Sequence, residues 1–329
     1  MSKFSMYNAV KNVDFVGRRA LWYIIPTAIV VIGLIVMLIF GMNVGIDFEG
    51  GAIASISFGE ELSQEEYDAN LADIKEIIEE NGLTVSYSQK SSDELGTVIV
   101  VRYSNIGDED VMNGEEGKNT LVKAGLIELY QELYDESSEN ITMEIIGSTA
   151  SRDLVLRSFI AIFAASVVML IYIGFRFDWL SGLAAVITLI LNVLIMVALT
   201  TIFQIQVNTS FIAAVITIIG YSINATIVIF DRIRENKKKF AQDSKVSPSD
   251  VANISIRESF TRTVYSSFTT LVTITILAII SVATIREFAL PIIFGLIAGI
   301  YSSIFVAPAL WVTFVTSFGK KKKVQAKKK

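Results

Sequence analysis

Six runs of apolar residues, at about 21–42, 154–174, 180–203, 207–230, 266–285 and 288–318, are each long enough to cross the hydrocarbon core of a bilayer. This feature excludes most folds. Lipid offers no hydrogen bonds, so each run must pair its own backbone groups as a helix, and the helices must pack as a bundle. Composition agrees: 52% of residues are hydrophobic and 19% charged, against about a quarter charged in a soluble chain. With no histidine and no cysteine, the chain has no imidazole relays, thiol chemistry, disulfides or zinc fingers.

The charges are segregated. Residues 43–153 hold 25 of the 33 acids and only 6 of the 28 bases. The bases collect in residues 1–20, between Arg232 and Arg262, and in the tail 319–329. Basic flanks favour the cytoplasmic side. The expectation is therefore a multi-pass protein of the cytoplasmic membrane with both termini and the loop 231–265 inside, and 43–153 outside. Residues 21–42 lack a small-residue cleavage site and read as an uncleaved anchor helix, which Pro26 bends or starts.

Residues 43–153 read as a folded α+β domain. Strands are expected at Ala52–Phe58, Leu83–Gln89, Thr97–Tyr103 and Ile141–Ile146. Ser63 and Glu66 form a capping box that opens a helix to about Glu80, stopped by Gly82. A second helix is expected from Lys118 to about Tyr134. The resulting βαββαβ order points to a ferredoxin-like fold between the first and second spans. Asp108, Glu109 and Asp110 lack the ligand spacing of an EF-hand and read as a solvated acidic loop. No metal site or cofactor is expected.

The fourth run ends in GYSINATIVIFDRIREN, Gly220 to Asn236. Residues seven apart drift by only about 20° on a helix, so Ser210, Thr217, Asn224 and Asp231 make one polar stripe. Ser181, Thr188 and Asn192 share a face of the third run, and Arg262, Ser266, Thr269, Thr270 and Thr273 share one of the fifth. The three faces meet either as a polar seam or as hydrogen-bonding glue between helices. Arg262 reads equally as a snorkelling interfacial arginine. Gly220, Gly295 and Gly299 are helix-packing candidates. Asp231, Arg232, Arg234, Glu235 and Asn236 mark the charged helix end. Lys237 to Lys239 lie either against anionic headgroups or free in solvent. Ser247 and Pro248 start a helix leading to Arg262. The lysine tail reads as nonspecifically basic, with no nucleic-acid partner expected. Paired intramembrane carboxylates, a nucleotide loop and a nucleophile with its base are all absent from the sequence, so it carries no signature of an enzyme.

GIDFEGG (Gly45 to Gly51), GYSINATIVIFDRIREN, FTRTVYSSFTTL (Phe260 to Leu271), YSSIFVAPALW (Tyr301 to Trp311) and VDFVGRRALWY (from Val13) occur in an order that resembles the SecF family. These are the smaller membrane subunits of the SecD and SecF pair. The resemblance implies one half of an RND-related architecture, with SecD as the other half. It implies an accessory role in the Sec translocase, drawing emerging proteins across the bacterial membrane. The implied partners are SecD, the Sec channel, insertase-type subunits, the unfolded translocating chain and the bilayer. GIDFEGG would open the outside domain, with Gly45, Gly50 and Gly51 turning the backbone beside Asp47.

The departures from the family pattern matter equally. The resemblance implies an aspartate proton carrier where this chain has Ala225, and His-Asp where it has Leu191 and Asn192. A glycine pair is missing around Ser281 to Thr284, while Arg262 matches. A membrane potential works on charge, about 2.3 kcal/mol per unit charge per 100 mV, and Asn192, Asn224 and the threonines cannot titrate. The expectation is an export subunit whose own proton relay is lost. A non-transporting assembly subunit and an RND-like exporter half for small molecules or lipids stay open as alternatives.

Overall fold

The structure, a computed structural model, describes residues 10–92, 96–104, 117–131, 140–242, 245–280 and 283–326. The chain divides into two compact units. One comprises Val44–Ile160 with Val207–Thr209, and the other the remaining described residues.

The first unit contains a four-stranded antiparallel sheet. Its strands are β1 (Gly51–Ser57), β2 (Thr84–Ser92), β3 (Thr97–Ser104) and β4 (Ile141–Ile146), ordered β2-β3-β1-β4. Ala54 is the register centre, opposite Val101 on one side and Met143 on the other. Helices α1 (Arg19–Phe40, in the second unit), α2 (Gln64–Glu80) and α3 (Lys118–Leu129), with a one-turn helix at Ile46–Glu49, also precede β4. Alternation along the strands puts Ala52, Ala54 and Ile56 of β1 and Ile99, Val101 and Tyr103 of β3 on one face. That face is sealed by Ile74 and Ile78 of α2 and Val122 and Leu126 of α3, all fully buried. Burial pushes the Tyr103 phenol above the usual tyrosine range.

The capping box at Ser63 is present in both directions. Ser63 Oγ accepts from Glu66 N at 3.3 Å, and Glu66 Oε2 accepts from Ser63 N at 2.8 Å. Gly82 follows with φ 70°, a left-handed stop. The acidic residues Asp108, Glu109 and Asp110, and the end expected for α3 at Tyr134, lie outside the described residues.

The second unit is a bundle of helices. Besides α1, it takes in the later part of α4 (Ser148–Arg176) together with α5 (Trp179–Ile202), α6 (Thr209–Lys239), α7 (Pro248–Ile280), α8 (Ala283–Tyr301) and α9 (Ala307–Ala326). Among the described residues, six segments are long and apolar enough to span a membrane, α8 and α9 supplying one between them. α5 packs against α1, α8 and α9.

Helix ends depart from the apolar runs for identifiable reasons. α1 begins seven residues before Pro26, so the proline lies inside the helix rather than starting it. α6 continues nine residues past Phe230, because Arg232, Arg234, Glu235 and Lys237 to Lys239 are good helix formers and Asp231, Arg232, Glu235 and Asn236 are held by side-chain pairing. α7 begins at Pro248 under a cap in which Ser247 Oγ accepts from Asp250 N at 3.2 Å and Asp250 Oδ2 accepts from Ser247 N at 2.9 Å. The segment expected as a loop at 231–265 is therefore largely two helical extensions. The last span is interrupted by a π-helical turn, Ser302–Val306, in which Ala307 N donates to Ser302 O. Pro308 accounts for it: the ring has no N–H and would collide with the carbonyl four residues back, so the turn widens.

Candidate functional site

The widened turn sets two consecutive serines, Ser302 and Ser303, facing the bundle interior with no exposed surface. Ser302 Oγ meets Asn192 Oδ1 of α5, and Asn192 Nδ2 in turn meets Ser222 Oγ of α6. Ser303 Oγ lies 2.9 Å from Thr226 Oγ1 of α6. Ser302 Oγ is also 2.7 Å from the Ala298 carbonyl and 3.3 Å from that of Gly299, so its single proton is shared among three acceptors. Gly299 allows this approach: a Cβ there would sit 3.3 Å from Ser222 Oγ. Gly295, one turn earlier, faces Ile218, with a Cβ falling 2.5 Å from Ile218 Cγ1. The inner cluster is thus built from amides and hydroxyls, with no carboxylate or imidazole among them.

The expected seam residues do not converge there. Asn192 is buried, as are Ser181 and Thr188 on its face. Thr217, Asn224 and Gly220 lie on the opposite, exposed side of α6, and a Cβ on Gly220 would meet nothing within 4 Å. Arg262, Ser266, Thr269 and Thr273 are exposed on α7. Thr270 joins α7 to α6 by accepting from Tyr221 Oη at 2.9 Å. The structure therefore separates the predicted seam into a buried cluster and an outer polar face. Ser222, Thr226, Ser302 and Ser303 were the seam residues the heptad stripe passed over. The Ser222 and Thr226 spacing of four, continuous with buried Ile218 and Ile229, was the available signal. Ala225 is 8% exposed, a buried methyl group.

At the charged end of α6, Asp231 pairs with Arg176 at the end of α4. Arg232 reaches Glu235 Oε2 at 2.6 Å and Glu258 Oε2 of α7 at 2.7 Å. Asn236, buried, donates to Ser255 Oγ at 3.0 Å and to Glu258 Oε2 at 2.7 Å. The DRIREN sequence therefore ties α6 to α4 and α7. The sequence reading missed its partners, because Ser255 and Glu258 sit in an unremarkable helical stretch.

α7 also holds the segment before α1. Asn253 Oδ1 accepts from Phe15 N at 2.9 Å and Val16 N at 3.2 Å, while Arg257 Nη2 donates to Val13 O at 2.8 Å. Asp14 accepts from Gly17 N and Asn253 Nδ2, both at 2.8 Å, and these hold its carboxyl below the usual range. A depressed carboxylate stabilises above its unfolded value and loses that contribution as pH falls through the folded one. Amide exchange at residues 15–17 is therefore expected to accelerate below about pH 4, and Asp14→Asn to abolish that pH dependence. Identical profiles in both proteins would show that Asp14 does not hold the segment.

GIDFEGG crosses from a one-turn helix, Ile46–Glu49, into β1. Gly50 has φ 76° and Gly51 φ 138°, and a Cβ on Gly51 would lie 2.5 Å from the Tyr103 carbonyl oxygen. Gly45, by contrast, has an ordinary φ of -79°, so only two of the three expected glycines need their freedom. Asp47 Oδ2 accepts from Thr209 N at 2.8 Å, capping the first turn of α6 from 162 residues away. Gly45 N donates to Val207 O at 2.9 Å beside it. Asp47→Ala is expected to cost about 1 kcal/mol of local stability. Amide exchange at Thr209 and Ser210 should rise about fivefold, and unchanged rates would rule the cap out.

The profile described as "Protein export membrane protein SecD/SecF, C-terminal" matches residues 127–317, more than half the chain. The chain belongs to the SecD/SecF family. Among its relatives, the protein translocase subunit SecF of Sebaldella termitidis is 32% identical over 302 residues, covering 91% of each chain. That of Haemophilus influenzae is 31% identical, covering 90% of this chain and 84% of the relative. The protein translocase subunit SecDF of Bacillus subtilis is longer: the alignment, 29% identical, takes in 92% of this chain but 38% of that one. The crystal structure of SecDF from Thermus thermophilus, a translocon-associated membrane protein, superposes with TM-score 0.74 at 26% identity, over 92% of this chain and 39% of that one. In this SecD/SecF member the position where the resemblance implies a carboxylate, Ala225, lies one residue from Asn224 on the outer face and one from Thr226 in the inner cluster.

Proposed function

We propose that this chain is an accessory subunit of the Sec protein translocase, acting with SecD in late export driven by the membrane potential. The observation that carries the proposal is the outer polar face of α6 and α7. Asn224 lies mid-span and is exposed, and its side chain hydrogen-bonds to no other described residue; Arg262 likewise has no ion pair among the described residues. Lipid cannot satisfy an amide or a guanidinium, so this face calls for a partner carrying complementary polar groups. SecD supplies it in this reading, consistent with the longer SecDF relatives in which the matching region is only part of the chain.

The sheet unit belongs outside the cytoplasmic membrane and both termini inside, a reading supported by the acidic and basic segregation. The βαββαβ connectivity with sheet order β2-β3-β1-β4 supports a ferredoxin-like description. The Sec channel, insertase-type subunits and the unfolded translocating chain are the further partners of the working assembly.

Proton coupling in this reading rests with SecD. From Trp179 to Phe230 the only ionisable side chain is Tyr221, and a potential does work only on charge. This also favours a second reading, an assembly subunit that stabilises SecD and the channel without transport of its own. Isolation from native membrane is expected to bring down SecD and channel subunits, and Asn224→Trp to weaken the SecD interaction. Isolation without SecD would instead favour an exporter half. Reconstituted alone, the chain should move no protons. Proton flux without SecD would overturn the lost relay, and reconstitution of the pair divides export from assembly.

A further inference from the structure

The turn between α4 and α5, Phe177 and Asp178, borders two clefts that together have the shape and polarity of one amphipathic ligand. The first, about 690 Å³, lies between the end of α4 and the charged extension of α6. Arg234, Lys237 and Lys238 line it at spacings of three and four, hence from one face of α6. Arg176 also lines it but is committed to Asp231. Asp178, the acid at its edge, is engaged by the Ser181 hydroxyl at 2.8 Å. Arg234, Lys237 and Lys238 form no ion pair with another described residue. This is a cationic site with unspent charge, set where the apolar part of α6 ends at Phe230.

The second cleft, about 430 Å³, runs from the same turn along α4 and α5 over Ile173, Gly174, Gly182, Leu183 and Val186. It is apolar, and two of its wall positions have no side chain. A Cβ on Gly174 would enter open space, with nothing within 4 Å. Phe175 and Trp179, 90% and 81% exposed, flank the junction as interfacial aromatics do.

We propose that the two clefts bind one anionic phospholipid, its phosphate against Arg234, Lys237 and Lys238 and one acyl chain along Gly174 and Gly182. Charge complementarity selects the headgroup. An apolar groove that shares Phe177 and Asp178 with the cationic pocket selects a lipid over a soluble anion. Basic pockets between helices on one membrane side hold anionic headgroups by this combination. The site is independent of the pairing with SecD, because it is formed by α4, α5 and α6 of this chain and does not use the outer face of α6 and α7.

The test is native mass spectrometry of the delipidated full-length chain given equal phosphatidylglycerol and phosphatidylcholine. The wild type is expected to retain one phosphatidylglycerol with at least about tenfold preference, each cation contributing roughly fivefold. The triple variant Arg234→Gln, Lys237→Gln, Lys238→Gln should bring that preference close to one. Gly174→Leu, whose Cβ would meet nothing within 4 Å, should lower retention of both lipids while helix content by circular dichroism stays that of the wild type. Equal retention of the two lipids, a preference that survives the triple variant, or full retention by Gly174→Leu would each overturn the proposal. Displacement of the lipid by equimolar sn-glycerol 3-phosphate would assign the pocket to a free phosphate instead. Loss of the lipid on adding SecD would assign the surface to the partner chain.

Discussion

Gly33→Leu is expected to separate α1 from α5 and to lower the stability of the bundle by about 3 kcal/mol. A Cβ on Gly33 would lie 2.4 Å from Ala198 Cβ and 2.6 Å from Ala198 Cα. The second distance is decisive, because a Cα cannot rotate away as a side chain can. Either the two helices part or one of them bends. Without a hydrophobic force between helices in lipid, close contact of small residues contributes directly to holding α1 to α5. Unfolding in mixed micelles by SDS titration, followed by tryptophan fluorescence, should show an earlier midpoint for Gly33→Leu and a smaller shift for Gly33→Ala. Wild-type midpoints for both would refute the close approach.

Asn192→Leu should cost about 2 kcal/mol. The side chains are similar in volume, so the loss is mainly polar: Ser222 Oγ loses the amide that donates to it, and Ser302 Oγ keeps only backbone carbonyls of its own segment as acceptors. Ser302 already has the Ala298 carbonyl at 2.7 Å, which limits its share. A double-mutant cycle of Asn192→Leu with Ser302→Ala isolates the pair, and its coupling should be about 1 kcal/mol. A coupling near zero would mean that the π-helical turn does not present Ser302 to α5. Export by the complete translocase should fall in Asn192→Leu in proportion to lost folded protein. A larger fall would give the inner cluster a role beyond packing.

Much of the fold was legible because its signals are local. The capping residues Ser63 and Ser247, the glycine stop at Gly82 and the alternation of Ala52, Ala54 and Ile56 each act within a few residues. The six spans follow from length and apolarity alone. The polar stripe of α6 shows where such reasoning ended. Thr217 and Asn224 do share a face, but which face turns inward depends on the helices around it. In a soluble helix the apolar side would have answered that question. In a membrane both sides are apolar, so Ser222 and Thr226 looked no more inward than Asn224.

Residue type and local pattern were enough for the number of candidate spans, the order of the described strands and helices in the sheet unit, the charge segregation and the absence of a titratable group at Ala225. Each depends on residue type and on near neighbours. Tertiary packing settled that Asp47 accepts from Thr209, that Gly33 meets Ala198, that Asn192 joins Ser222 to Ser302, and that the cleft bordered by Lys237 and Lys238 shares Phe177 and Asp178 with an apolar one. Those contacts join residues far apart in the chain. They are settled by close packing of small side chains and by pairing of polar groups where neither water nor lipid can supply a partner.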